Sequence, residues 1–278
     1  MTTTFDIETT SGRFSCFAKS SRTSGLPIVL IISAMGFSST RFDFYNVLDC
    51  LDPNKYVGIC VDLLGSGFSG APISSGRSLD NISSEIANLI QQLNSHPLFL
   101  MAHSLSAIYM MKLLSNRERP QDVAGFIGID PTAPKTITHF LDEFRRNLEE
   151  VRQLEKNKSV GRLLPDPEIN PLLSLEASTA CRDLYESLPG AQYIEDELRQ
   201  APQTVADSLG LVLPDEIPSL SILSTQNYAD YAAYGNPYFN ANRHSAQTVL
   251  NGHHFLQWIH PQTIAMLIGG FVDIVTSD

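Results

Sequence analysis

The sequence predicts an α/β fold in which a mostly parallel central sheet is flanked by helices and interrupted by a helical insert. Short, nearly continuous apolar runs recur, each followed by a Gly/Ser/Pro/Asp loop and a longer amphipathic stretch. That is the pattern of parallel strands buried on both faces and joined by crossover helices. The rhythm stops after Asp130 and resumes near Ile217. Between Lys135 and Asp215 the chain carries 9 basic and 15 acidic residues in 81 positions, against 10 and 15 in the other 197. A segment charged at about twice the density of its flanks buries less of itself per residue, which marks an accessory layer inserted into a more deeply buried domain.

At the amino end, TFDIETTSGRFSCFAKSS alternates around Ser11-Gly12 and predicts an antiparallel hairpin on a sheet edge. Strands are expected at PIVLIIS (27–33), VGICVDL (57–63), PLFLMAH (97–103) and VAGFIGID (123–130). Helices are expected over 78–95 and 106–119, where apolar residues follow helical spacing. After Asp130, residues 137–157 place Phe140, Leu141, Phe144, Leu148, Val151 and Leu154 on one helical face, and further helix-like pieces run to about Leu209. Strands return at 217–224 and 244–250, and a last helix begins at Pro261, where proline suits a first turn.

Composition narrows the function classes. With 43% hydrophobic and 18% charged residues, the 278-residue chain can bury a sizeable core without metals or disulfides. A formal charge of −11 disfavours nucleic acid and anionic membrane surfaces as partners. Cys16, Cys50, Cys60 and Cys181 show no CxxC spacing, and the start MTTTFDIETTSG lacks a signal-peptide core, so a reduced, cytoplasmic protein is expected. The stretch 264–275 is too short to span a bilayer. No metal cluster stands out and no cofactor is implied.

The most informative stretch is PLFLMAHSLSAIYMMKLL, an apolar strand running through Ala102-His103-Ser104-Leu105-Ser106 directly into a helix. A serine on such a turn projects its hydroxyl above the sheet, the turn demands small neighbours two before and two after it, and the helix N-terminus faces developing negative charge. As a helix cap alone, Ser104 would need none of this. The stretch resembles the nucleophile elbow of the α/β-hydrolase superfamily, with Ala102 and Ser106 where Gly-x-Ser-x-Gly has glycine. NGHHFLQWIHP (251–261) resembles the family's histidine loop and places the base on His254, with His253 as its neighbour. VDLLGSGFSG resembles a family loop through Asp62, Gly65, Gly67 and Ser69. It lacks nucleotide-binding spacing, so turn chemistry explains it better than phosphate binding.

The resemblance implies an acid after the strand that follows the insert, but PSLSILSTQN puts Asn227 there, and an amide cannot stabilise an imidazolium as a carboxylate does. Some members take the acid from the strand after the nucleophile helix, which here ends in Asp130. The expected triad is therefore Ser104, Asp130 and His254, with Asp230 as the competing acid. The expected oxyanion donors are the amides of Leu105 and, after Ser33-Ala34, of Met35. The resemblance makes the insert a cap (135–214) over a core (1–134 and 215–278), with Phe140, Phe144 and Tyr228 as candidate substrate contacts.

The resulting expectation is a serine hydrolase cleaving a carboxylic ester through an acyl-enzyme on Ser104, with a small-molecule ester or acyl substrate and a homodimer left open. Serine at the elbow argues against the epoxide hydrolases and haloalkane dehalogenases of similar build, which use aspartate there. Two alternatives stay open: a proline-type aminopeptidase on the same fold, and a non-catalytic binding or receptor protein that retains it.

Overall fold

The computed structural model describes residues 3–19, 25–33, 35–74, 76–93, 97–116, 120, 123–138 and 141–277. Its strands are β1 (Thr3–Thr9), β2 (Gly12–Ala18), β3 (Ile28–Ile32), β4 (Val57–Val61), β5 (Leu98–His103), β6 (Val123–Ile129), β7 (Ser219–Ser224) and β8 (Ala246–Leu250). They form one eight-stranded sheet in the order β1-β2-β4-β3-β5-β6-β7-β8. The β1–β2 hairpin pairs Thr9 with Gly12 and joins β4 antiparallel; every other pairing is parallel.

The helices are α1 (Thr40–Asp43), α2 (Tyr45–Cys50), α3 (Leu79–Gln91), α4 (Ser106–Leu114), α5 (Pro134–Ile137), α6 (Leu141–Ser159), α7 (Leu175–Ser187), α8 (Ala191–Ser208), α9 (Tyr228–Tyr234), α10 (Leu256–Ile259) and α11 (Pro261–Thr276). Both faces of the central strands β3 to β6 are covered, which is why their sequences are almost continuously apolar, whereas β1 and β8 at the sheet edges are more polar and exposed. On β3, Ile28, Leu30 and Ile32 pack with Ile82, Ile86 and Leu89 of α3 and Ile108 and Met111 of α4. Val29 and Ile31 point the other way, to Val47 and Leu48 of α2 and Ile264 and Ile268 of α11. The period of two thus divides one strand between two cores.

Ser78 caps α3 by accepting from the Asn81 amide, and α11 starts at Pro261 as its sequence predicts. The expected helix over 137–157 is instead the short α5 and the longer α6, which continues to Ser159. No helix among the described residues is long and apolar enough to cross a membrane.

Between β6 and β7 the chain leaves the sheet to form α5 to α8. Val151 and Leu154 of α6 pack with Ile194 and Leu198 of α8 and with Phe37 of the core. This seam leaves most of α6 facing water, whereas α8 buries a broader face, and Glu195 of α8 pairs with Arg152 of α6 at 3.0 Å and with Arg199 at 2.6 Å. One buried stripe per helix accounts for the segment's high charge density.

Gly190, between α7 and α8, packs against the backbone of Gly65 and has φ +66°, a left-handed value that favours glycine. A Cβ there would lie 1.7 Å from the Gly65 carbonyl oxygen. Gly190→Ala should therefore cost at least about 2 kcal/mol, from left-handed strain and forced separation of the two backbones. Chemical denaturation checks this against Gly210→Ala, whose added Cβ meets nothing within 4 Å.

Candidate active site

In an open parallel sheet, crevices form beyond the carboxyl ends of strands where successive crossovers diverge. Here β3 lies between β4 and β5, so the loops after β3 and β5 part on either side of such a point. Around it open the loop at Ser33 and Met35, the turn at Ser104, the end of β6 at Asp130 and the loop after β8 that carries His254. Met35, Ser104, Leu105, Asp130 and His254 line one cavity of about 340 Å³.

Ser104 sits between β5 and α4 with φ +57°. A non-glycine residue in that region is held by its surroundings. Here the Ser104 carbonyl accepts from the amides of Ala107 (3.2 Å) and Thr132 (3.1 Å). Its hydroxyl lies 3.3 Å from Thr132 Oγ1. Ser106 is fully buried, and its hydroxyl bonds the Ile32 carbonyl at 2.9 Å and the His103 carbonyl at 2.8 Å. A serine in the usual glycine position thus staples the turn to β3 and leaves Ser104 as the serine that faces the cavity.

Asp130 also has a left-handed backbone, at φ +40°, and is buried. Its Oδ1 accepts from the Ser224 amide at 2.8 Å. Its Oδ2 accepts from the Ser224 hydroxyl at 2.9 Å, Asn227 Nδ2 at 2.6 Å and His254 Nδ1 at 2.7 Å. Burial works to raise the Asp130 pKa, but the hydrogen bonds from His254 and Ser224 and the His254 charge outweigh it and hold the carboxyl below its ordinary value. With Nδ1–H directed at Asp130, the free lone pair of neutral His254 is on Nε2.

Asn227 is therefore a donor to the Asp130 carboxylate. Its amide, where an aspartate was expected by resemblance, braces the carboxylate on β6, and its own backbone N–H donates to Ser224 Oγ at 3.1 Å. Asp230 lines the cavity on α9, while His254 pairs with Asp130. His253 accepts from the Phe255 amide at 3.1 Å and packs against Phe255 and Trp258.

Phe144 of α6 lines the cavity. Phe140 lies outside the described residues, as does Ala34. Of the tyrosines on α9, Tyr228, the candidate substrate contact, is 46% exposed and is not part of the lining, whereas the buried Tyr231 is. The Asp62 loop is structural: its carboxylate accepts from Ser39 Oγ and the amides of Thr40 and Phe68. Gly67, at φ +53°, leaves room for it, since a Cβ would lie 2.3 Å from Asp62 Oδ2.

Two polar contacts gave no local signal in the sequence. Ser33, at the start of the loop bearing Met35, donates to Asp43 Oδ2 at 2.5 Å. His103, beside Ser104, is fully buried with its ring 4.6 Å from that of His254.

A family model for the alpha/beta hydrolase fold matches residues 27–261. The chain belongs to the α/β-hydrolase fold family. The match spans the sheet from β3 to β8 and the insert between β6 and β7. Ser104, Asp130 and His254 line one cavity, with His254 bonded to Asp130, a triad-like arrangement consistent with a serine hydrolase acting through an acyl-enzyme. Among solved structures, a putative epoxide hydrolase mutant from Pseudomonas aeruginosa is similar over 99% of this chain and 97% of its own, at 16% identity and a TM-score of 0.73. A haloalkane dehalogenase variant from Bradyrhizobium elkanii is similar over 100% and 98%, at 19% identity and TM-score 0.68. An epoxide hydrolase from Vigna radiata covers 98% and 98%, at 20% and 0.68. At these identities the likeness is one of α/β-hydrolase fold alone. A search of curated proteins finds no match.

Burial, followed by the His254 charge, pushes the His103 pKa from 6.5 down to about 3. Between those values the unfolded chain takes up a proton that the folded protein refuses, so this residue's contribution to stability falls as pH drops below 6.5. His103→Gln lacks the effect. Comparing unfolding free energies at pH 7 and pH 5 should show a relative gain for the variant of roughly 2 kcal/mol at pH 5.

Proposed function

We propose that this α/β hydrolase cleaves a carboxylic ester through an acyl-enzyme on Ser104. The observation that carries the reading is one cavity, lined by a serine in a strained strand-to-helix turn and by a histidine whose Nδ1 lies 2.7 Å from a buried carboxylate.

Ser104 Oγ leaves Thr132 and attacks the ester carbonyl as its proton passes to His254 Nε2. Asp130 stabilises the imidazolium and keeps its tautomer. The backbone amides of Leu105 and Met35 hold the oxyanion, with α4 starting directly behind the nucleophile. The alcohol departs with the proton from His254. Water then gives a proton to His254 and attacks the acyl carbonyl, and the bond to Ser104 Oγ breaks as His254 returns that proton to Oγ, releasing the acid and restoring Ser104.

Residues 135–214 form the cap over core segments 1–134 and 215–278, and Phe144, Ile137 and Tyr231 supply an apolar wall for the acyl or alcohol group, supported by their place in the cavity lining. A small-molecule ester in a cytoplasmic setting fits this reading. Glu143 and Asp230 in the same lining favour a second reading, hydrolysis beside a free amine as in an aminopeptidase. Amino-acid nitroanilides and simple nitrophenyl esters separate the two.

A fluorophosphonate probe should label the wild-type protein and leave folded Ser104→Ala unlabelled; failure of any such probe to label folded wild type contradicts the reading. Asp130→Asn should lower ester turnover by about 10⁴-fold, as expected when tautomer control is lost. Asp230→Asn should retain turnover within a few-fold. A large loss in Asp230→Asn with little in Asp130→Asn would move the acid to Asp230.

A further inference from the structure

His103 is a buried imidazole that the proposed chemistry does not use. It ends β5 directly before Ser104, and its Nε2 lies 3.1 Å from the backbone carbonyl of His254. A carbonyl only accepts, so the proton is on Nε2. The other nitrogen, Nδ1, is buried without a partner, so charging the ring would add a donor that nothing receives. Burial makes charging harder still. His103 is thus a neutral ring of one tautomer.

Its surroundings fix where that ring lies. His254 packs on it at 4.6 Å between ring centres, Phe255 at 5.3 Å, and Phe44 meets it edge-on at 6.2 Å. Residues 251–255 lie between β8 and α10 and belong to no helix or strand, so side chains must anchor them. The His254 amide donates to Gln226 Oε1 at 3.2 Å, leaving its carbonyl to His103.

We propose that His103 is a positioning residue for His254, its Nε2–H holding the histidine loop by the His254 carbonyl so that the imidazole stays between Asp130 and Ser104. This rests on the Ser104 hydrolase reading above. The residue before the nucleophile and the loop of the base are thereby joined directly, across 151 positions of sequence. The neutrality of His103 also matters, because a cation against the ring of His254 would oppose the imidazolium formed in each half-reaction.

The test separates donor from ring. His103→Gln can present an amide donor near the Nε2 position; His103→Phe keeps an aromatic ring and loses the donor. For each folded variant, with active sites counted by fluorophosphonate titration, kcat and KM are measured on the best nitrophenyl ester. His103→Phe should lose about 10- to 100-fold in kcat with KM changed less than about threefold, the size expected when a reacting group is misplaced by a fraction of an ångström to an ångström. His103→Gln should recover most of that loss. If phenylalanine prevents folding, His103→Met, which also lacks a donor, carries the same expectation. Equal labelling rates and kcat in wild type and the donorless variant overturn the positioning role alone, as does a glutamine variant no faster than phenylalanine. A wild type that takes no label overturns the hydrolase reading and this role with it.

Discussion

A carboxylate taken out of water at the end of β6 has to be met by hydrogen-bond donors, and the way Asp130 meets that demand organises the site. Its four donors come from three places: two from Ser224 at the end of β7, one from Asn227 just beyond it, and one from His254 after β8. Satisfying one buried charge ties the carboxyl ends of neighbouring strands to the histidine loop. The same bonds keep the carboxyl ionised despite its burial. An ionised, fully occupied carboxylate can hold a histidine in one tautomer, because none of its donors can turn away without leaving charge unpaired.

The opposite wall is built by backbone geometry. Ser104 and Asp130 both have left-handed backbones, and the Thr132 amide, two residues past Asp130, donates to the Ser104 carbonyl. The strained turn at Ser104 and the loop after Asp130 support one another, and Tyr238 adds a bond from its hydroxyl to the Thr132 carbonyl at 2.8 Å. Ser106 completes the frame by satisfying the Ile32 carbonyl on β3. Where a glycine has no side chain, the buried Ser106 hydroxyl pairs a strand-end acceptor. The turn therefore departs from the glycine pattern while keeping its shape.

Much of this was legible in the sequence because it depends on local pattern. Apolar runs bounded by turn residues located the parallel strands to within a few residues, and the strand-to-helix transition around Ser104 was visible in PLFLMAHSLSAIYMM. Long-range pairing was not. Asn227 looked like a failed acid because its partner lies 97 positions away; only the fold reveals an amide that supports Asp130. Nothing in the sequence around His103 points to His254, which the sheet brings against its ring from 151 positions away. Tyr228 and Tyr231 carry the same chemistry three residues apart, and which one reaches the cavity is decided by the docking of α9. The charge contrast of residues 135–215 did foretell an exposed helical layer, since helices with one buried stripe need polar residues elsewhere.

Asp130, rather than an acid on the α9 side of the cavity, holds His254. Proton NMR of the resting protein reads that bond directly, through the strongly downfield resonance of an imidazole N–H donated to a buried carboxylate. Such a resonance should be present in the wild type, lost in Asp130→Asn and retained in Asp230→Asn. A resonance that survives Asp130→Asn and vanishes in Asp230→Asn would contradict the pairing of His254 with Asp130.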